Sequence, residues 1–372
     1  VLIPMGSFFY KEEKNLQYTP VHLMIPLHRN DTLTEAGLKR KGRFVLSELN
    51  KLSELNKSMG LGTRSRHLAS SKARIRTSSL KIQRLRENAL AYTFLAPSLI
   101  LFAVFMFYPM LKSVYLSLHS TDPAGNVAAY VGLDNFAVLF SSGQFLQGIK
   151  VTLLFALLTV PAGILLALVL AALTHSKLRG MRIFQFAFSL PMVLSVGSSA
   201  VIWKFLFHPT LGMFNYVLSL LHINPVPWLT SPDWALLSVA IMTIWMNLGF
   251  NYIILFSGLQ GIPDDMYESA KMDGAGPLVT FWRISMPLLS PTIFFVTVVS
   301  IIGAFQSFAQ INILTKGGPV NSTNVFVYSI YQEAFVNFRF GTGSAQAIVL
   351  FVIILLLTMI QFKWVERKVH YQ

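Results

Sequence analysis

The chain has no cysteine among its 372 residues. This excludes disulfides, cysteine-ligated zinc, iron–sulfur clusters and thiol nucleophiles, and it leaves the compartment open. Charge is almost as scarce: 12% of residues are charged, about half of what a soluble domain carries. Acidic residues are the rarer sign, 16 against 30 Lys and Arg. None of them lies in a long apolar run: Asp122, Asp134, Asp233, Asp264, Asp265, Glu268, Asp273, Glu333 and Glu366 all fall in connections or the tail. An ion-coupled secondary transporter of a polar small molecule, the alternative functional class, would need a carboxylate at membrane depth for its coupling ion. Nucleotide and metal signatures are missing too. There is no HExxH, GGPVNST at Gly317–Thr323 lacks the lysine of a phosphate-binding loop, and the eight histidines are scattered. The chain is therefore expected to have no catalytic residue, to bind no metal or cofactor and to be no enzyme.

What the chain does have is apolar residues, 53% of the total, gathered into runs near the ~20 residues that a helix needs to cross ~30 Å of hydrocarbon. The runs are Tyr92–Leu111, Val151–Leu173, Phe184–Phe205, Trp234–Phe256, Thr292–Leu314 and Ala345–Phe362. Their length excludes the short alternating strands of a membrane barrel. The expected fold is an all-α membrane protein of six transmembrane helices over 91–372, preceded by a cytoplasmic N-terminal extension over 1–90.

Lys and Arg in short connections set the orientation. Lys177, Arg179 and Arg182 follow the second run, Lys271 and Arg283 follow the fourth, and Lys363, Arg367 and Lys368 close the chain. The alternate connections offer only Lys150, Lys316 and Arg339 over greater length. Both termini are expected in the cytoplasm. The extension carries a direct repeat, SELNK at Ser47–Lys51 and Ser53–Lys57, and Met59 is a candidate start. From Lys72 to Arg86 basic and apolar residues interleave directly before the first run, as an amphipathic segment on an anionic leaflet would, each cation adding about 1 kcal/mol. That position argues for the lipid bilayer as partner and against nucleic acid.

One polar interruption looks built rather than tolerated: Gly261–Pro291, GIPDDMYESAKMDGAGPLVTFWRISMPLLSP. Pro263 with Asp264 and Asp265 reads as a helix start, where acids meet the positive end of the helix dipole. Gly274 and Gly276 read as its stop, Pro277 as a second start, and Pro287 and Pro291 as a second stop. Two short helices on the cytoplasmic side form either a docking lever or a plain connector. Ser269, Ala270, Gly274, Ala275 and Gly276 would let a partner approach closely, with Tyr267, Met272, Leu278, Phe281 and Trp282 as an apolar face.

Glu268-Ser269-Ala270, three residues, Gly274, nine residues, Ile284, one residue, Met286-Pro287 resembles the EAA loop of bacterial ABC importer permeases. Ser269 and Met286 depart from the alanine and leucine of that pattern and conserve size. VGLDNF (Val131–Phe136), LQGIP (Leu259–Pro263), KMDGAGP (Lys271–Pro277) and TKGGP (Thr315–Pro319) extend the resemblance to the carbohydrate-uptake branch. KMDGAGP and the ending VERKVHYQ are most similar to the first permease subunits of sn-glycerol-3-phosphate importers. The resemblance covers Tyr92 to the C-terminus. It implies a permease of the bacterial cytoplasmic (inner) membrane that forms a heterodimer with a second permease. It also implies two ATPase subunits holding ATP and Mg, an extracytoplasmic substrate-binding protein, and a substrate that is sn-glycerol-3-phosphate or a sugar or oligosaccharide. Glu268, Ser269, Ala270, Gly274, Ile284 and Pro287 would couple to the ATPase.

The pathway is expected at the rare amides of the spans, since polar groups at membrane depth face a bundle interior or a cavity. Asn247 and Asn251 are four apart on the fourth run; Gln306 and Gln310 are four apart on the fifth, with Ser307 and Asn312 near. Interhelical hydrogen bonding is the competing use. Trp245, Phe250, Phe305 and Phe308 could stack on a sugar ring or simply pack. Lys204 is expected to reach toward headgroups rather than substrate.

Overall fold

The computed structural model describes residue 54 and residues 88–175 and 180–364. The SELNK repeat apart from Glu54, the basic segment 72–86, Lys177, Arg179, Arg367, Lys368 and the VERKVHYQ ending lie outside the described residues. The chain divides into two compact units, Val1–Pro97 and Ser98–Gln372; the packing below belongs to the second. In chain order the elements are α1 (Asn88–Ser117), β1 (His119–Thr121), β2 (Val127–Tyr130), α2 (Asp134–Ser141), α3 (Gly143–Thr174), α4 (Met181–Ser189), α5 (Val196–Leu206), α6 (Met213–Leu220), α7 (Pro232–Gln260), α8 (Asp264–Met272), α9 (Pro277–Phe305), α10 (Ala309–Leu314), α11 (Phe326–Tyr331) and α12 (Phe340–Trp364).

Among the described residues α1, α3, α7, α9 and α12 are long and apolar enough to cross a membrane. The third apolar run is a bent pair of helices, which makes a sixth candidate span if taken as one. It turns through 104° between Met181–Val193 and Val196–Leu206. Pro191 opens a short 3₁₀ turn, Leu190–Val193, and the Ser195 hydroxyl then caps a new helix by accepting from Ser198 N at 3.2 Å. The all-α fold carries one short hairpin: β1 and β2 pair antiparallel, His119 opposite Tyr130, with a register shift after Ser120.

Prolines inside spans are accommodated by a recurring device. Pro109 and Pro287 each sit two residues after a π turn, Ala103–Phe107 and Phe281–Ser285. The wide turn moves the preceding carbonyls, with which a proline ring would otherwise clash. Pro287 and Pro291 consequently do not end a short helix; they lie within α9, which runs from Pro277 to Phe305.

The core is the long contact between α3 and α7. In a bilayer no hydrophobic force draws helices together, so close backbone approach and hydrogen bonds must do it. Gly163, Ala167 and Ala171 of α3 recur every fourth residue and are buried. Across from them stand Val239, Leu248, Tyr252 and Leu255 of α7, which share the same core cluster as the two alanines. Thr174 and Tyr252 hydrogen-bond at 2.6 Å, and the Gln185 amide donates to the Thr174 carbonyl at 3.0 Å, covering the end of α3. Asn135 of the VGLDNF motif donates to the Ser117 and His119 carbonyls at 2.9 and 3.0 Å, which ends α1. Asn215 ties the connection between α5 and α7 together. Its amide donates to the Pro209 and Val226 carbonyls, and its oxygen accepts from Val226 N and the Trp228 indole.

The bend after α4 packs directly on α7 at Gly249. A Cβ there would stand 2.7 Å from Met192 N and 2.8 Å from Ser189 O, backbone atoms that cannot swing aside. Gly249→Ala is expected to destabilise the bundle by about 1–3 kcal/mol, as overpacking does. Gly197→Ala, which meets nothing within 4 Å, should leave the midpoint of thermal unfolding in nanodiscs unchanged.

Candidate functional site

The interruption between α7 and α9 is built from stop and start signals. α7 ends at Gln260, Ile262 buries its side chain, and Pro263 in extended backbone begins α8 with Asp264 and Asp265 in the first turn. Gly274 has φ +72°, a left-handed conformation that costs a residue with a Cβ about 1–2 kcal/mol. It completes a double closure: Ala275 N donates to Ala270 O at 2.9 Å and Gly274 N to Lys271 O at 3.0 Å. Gly276 in extended backbone and Pro277 at the first turn then start α9. KMDGAGP is thus one stop–start signal.

Burial sorts the residues expected to couple. Glu268, Ser269 and Gly274 are exposed, and Met272 beside them is 88% exposed. Nothing of this chain comes within 4 Å of a Cβ built on Gly274 or Gly276. Ala270 differs from the surface role expected of it. It is buried against its own chain, on the inner side of α8. Ile284 and Pro287 are half-buried, Ile284 in the π turn and Pro287 just beyond it.

Sequence reasoning missed how this loop is fastened. Tyr267, half-buried on α8, has its hydroxyl 3.4 Å from Ser285 Oγ in the π turn of α9, and its ring lies 5.9 Å from that of His175 at the end of α3. Gly258 lets α7 and α9 meet, since a Cβ there would lie 2.6 Å from Leu289 and 2.8 Å from Thr292. Under α8 runs an apolar groove of about 670 Å³ between the end of α3 and the start of α9, lined by Leu173, Tyr267, Pro277, Leu278 and Phe281 among others. α8 is consequently held by three spans at once. Tyr267 thus joins α8 to α9 through Ser285 and to α3 through His175.

The amides divide as well. Asn247 is exposed on α7, whereas Asn251 is 3% exposed, with Ser300 Oγ of α9 donating to its Oδ1 at 3.5 Å and Gly163 of α3 beside its Nδ2. Asn251 lies at the junction of α3, α7 and α9. Gln306 and Gln310 do not share a helix face: α9 stops at Phe305, Gln306 is its exposed cap, and Gln310 lies buried on α10, which starts at Ala309. Ser307 Oγ donates back to Gly303 O at 2.9 Å, satisfying a freed carbonyl at this break. Asn312 is half-buried on α10.

The aromatics pack more than they line a path. Phe305 is buried, Trp245 stands 5.5 Å from Trp203 in an aromatic cluster, Phe308 stacks on Tyr328, and Phe250 is half-buried. Lys204 donates to the Ile313 carbonyl at 3.3 Å, capping α10 instead of reaching for headgroups.

Such a bundle, with a fastened loop before its penultimate long helix, has close relatives. The family described as binding-protein-dependent transport system inner membrane component matches residues 160–371. This chain belongs to that family. It is an ABC importer permease subunit, a membrane-spanning component of the inner membrane. The sn-glycerol-3-phosphate transport system permease protein UgpA of Pectobacterium atrosepticum is 35% identical over 290 residues, covering 77% of this chain and 97% of the relative. The UgpA of Salmonella typhimurium is equally similar, with the same coverage of both chains. Among solved structures, the bacterial alginate ABC transporter in complex with alginate pentasaccharide-bound periplasmic protein has a chain with a TM-score of 0.69 and 26% identity; the match covers 77% of this permease and 96% of that chain.

Proposed function

We propose that α8 is the coupling helix of this permease, seated in a cleft of a cytoplasmic ATPase subunit, and that Glu268, Ser269, Met272 and Gly274 form the contact. The observation that carries the reading is the two-sidedness of α8: a free outer face, and an inner face, Ala270 and Tyr267, locked to the spans. Ala270, Ile284 and Pro287 act from within, holding the helix on its spans. ATP and Mg belong to two ATPase subunits, and closure of that pair pushes α8 and with it α9 and α3. The bundle shifts between outward- and inward-open states.

The charge pattern of the connections supports a cytoplasmic position for α8 and both termini. A second permease completes the pathway as a heterodimer, with an extracytoplasmic binding protein delivering the substrate. Asn247, at the exposed edge of α7, is the best-placed pathway amide, with Gln306 and Asn312 at the break after α9. Asn251 and Gln310, both buried, hold helices together beside it. The substrate is sn-glycerol-3-phosphate or a sugar, a reading supported by the names of the relatives and by amides that both donate and accept hydrogen bonds.

Gly274→Arg is expected to insert and assemble yet lose substrate-stimulated uptake. Its control is Gly274→Asn, since asparagine tolerates left-handed backbone and adds no bulky charge. The asparagine variant should keep most of the uptake; equal uptake by both variants would remove the coupling role. For the substrate, calorimetry on the cognate binding protein should show tight binding of sn-glycerol-3-phosphate or of an oligosaccharide. Binding of neither sugars nor sugar phosphates would overturn the class.

A further inference from the structure

At the end of the bundle opposite α8, the start of α3, the stretch around α11 and the start of α12 enclose a polar pocket of about 220 Å³. Gln144 and Phe145 come from the first turn of α3, Asn324 from the connection before α11, Gln332 and Glu333 from the turn that follows α11, and Gln346 from the second turn of α12. α3 fixes its place: Gln144 is at one end of that helix, and His175, against Tyr267 of α8, is just beyond the other. None of the pathway amides named above lines it.

Its walls are left chemically incomplete. Gln346 is 7% exposed, and its Oε1 has no hydrogen-bond partner. Glu333 Oε2 likewise accepts no hydrogen bond, with the exposed Arg339 guanidinium 3.8 Å away, while its Oε1 accepts from Asn337. Neighbouring groups are already arranged: Ser329 donates to Asn324, and Asn324 donates to Gln332. A buried acceptor without a donor costs about 1–3 kcal/mol, and two such acceptors on residues that line one cavity mark a place where something else supplies the donors. A water occupies about 30 Å³ of liquid, so a single bridging water would leave most of this space empty.

Three features select the occupant. The two open groups are acceptors, so it brings donors. A carboxylate stands on the wall, which disfavours phosphate and other anions. The amides of Gln144, Asn324 and Gln332 offer both donors and acceptors, matching hydroxyl groups. The Phe145 ring adds an apolar face at the rim. Among the described residues no group of three or more His, Asp or Glu side chains is placed to hold a metal ion, which sets a metal aside.

We propose that this pocket is a separate binding site for one neutral polyhydroxy unit, a sugar ring or a short polyol, held by Gln346 and Glu333. The inference goes beyond the coupling reading and does not depend on it, because binding here requires neither ATP nor movement of α8. The relation to transport follows from position: a site at the far end from α8 meets hydroxylated substrate before the amides on α7 do, and admits neutral units more readily than phosphorylated ones.

The test is saturation-transfer NMR with D-glucose as probe on the assembled transporter in nanodiscs without nucleotide. Wild type should show glucose binding that inorganic phosphate does not displace. Gln346→Met, which keeps the shape and removes the acceptor, should weaken it about tenfold, the equivalent of one buried hydrogen bond. Gln144→Ala, on an exposed helix start, serves the same comparison should the first variant fail to assemble, with a smaller loss expected. Glucose binding of wild-type strength in Gln346→Met, displacement by equimolar phosphate, or no detectable glucose binding in wild type would each overturn the proposal. Loss of uptake in Gly274→Arg with glucose binding intact would separate this site from the coupling role.

Discussion

Inside a bilayer each backbone N–H and C=O must find its partner within the protein, so the places where a helix stops there have to be built. In this permease those places carry the architecture. The turn of 104° after α4 exists because Ser195 caps the second helix and because Gly249 of α7 leaves room for the backbone of the turn. At the break between α9 and α10 Ser307 bonds back to Gly303, and Lys204 caps the far end of α10 at Ile313. Remove one of these supports and the freed carbonyls face hydrocarbon or an unfilled gap.

The same economy explains how a short helix between two spans is fastened to a membrane bundle. α8 contributes little apolar surface of its own. It is positioned by Ile262 at its start, the double closure around Gly274 at its end, and Tyr267 between Ser285 and His175. Because Gly258 of α7 lets the Leu289 and Thr292 side chains of α9 seat directly on its backbone, the two spans that flank α8 form a packed pair. α3, joined to α7 along its small-residue stripe, is the third member. Force applied to the outer face of α8 therefore acts on the core of the bundle, close to Asn251 where those three helices join.

Much of this was legible in the residues. Apolar length located the spans, because hydrocarbon thickness fixes it, and the Gly and Pro of KMDGAGP located the stop and start around α8, because each has one conformational reason to be there. Periodicity misled where it assumed continuity. Pro161 and Pro191 look alike in sequence, yet α3 runs through the first while the chain bends at the second; the difference lies in Ser195 and in a glycine nearly sixty residues away on another helix. Gln306 and Gln310 read as one face because Phe305 and Phe308 hide a helix end within an apolar run. The inner role of Ala270 and the fastening by Tyr267 depend on contacts with α3 and α9 that no local pattern records. The polar pocket is the extreme case, since its walls come from two connections and from Gln346 at the start of an apolar run, and no local pattern brings them together.

The central claim is that the outer face of α8 meets the ATPase, and the absence of native cysteine makes it directly measurable. Met272→Cys, at a side chain 88% exposed, and Leu211→Cys, 87% exposed in the connection after α5, can each be the only cysteine among these 372 residues. In the assembled transporter, thiol-directed cross-linking from position 272 should capture the ATPase subunit, and from position 211 should not. No ATPase capture from position 272, with capture from position 211 instead, would contradict both the docking role of α8 and the orientation of the chain.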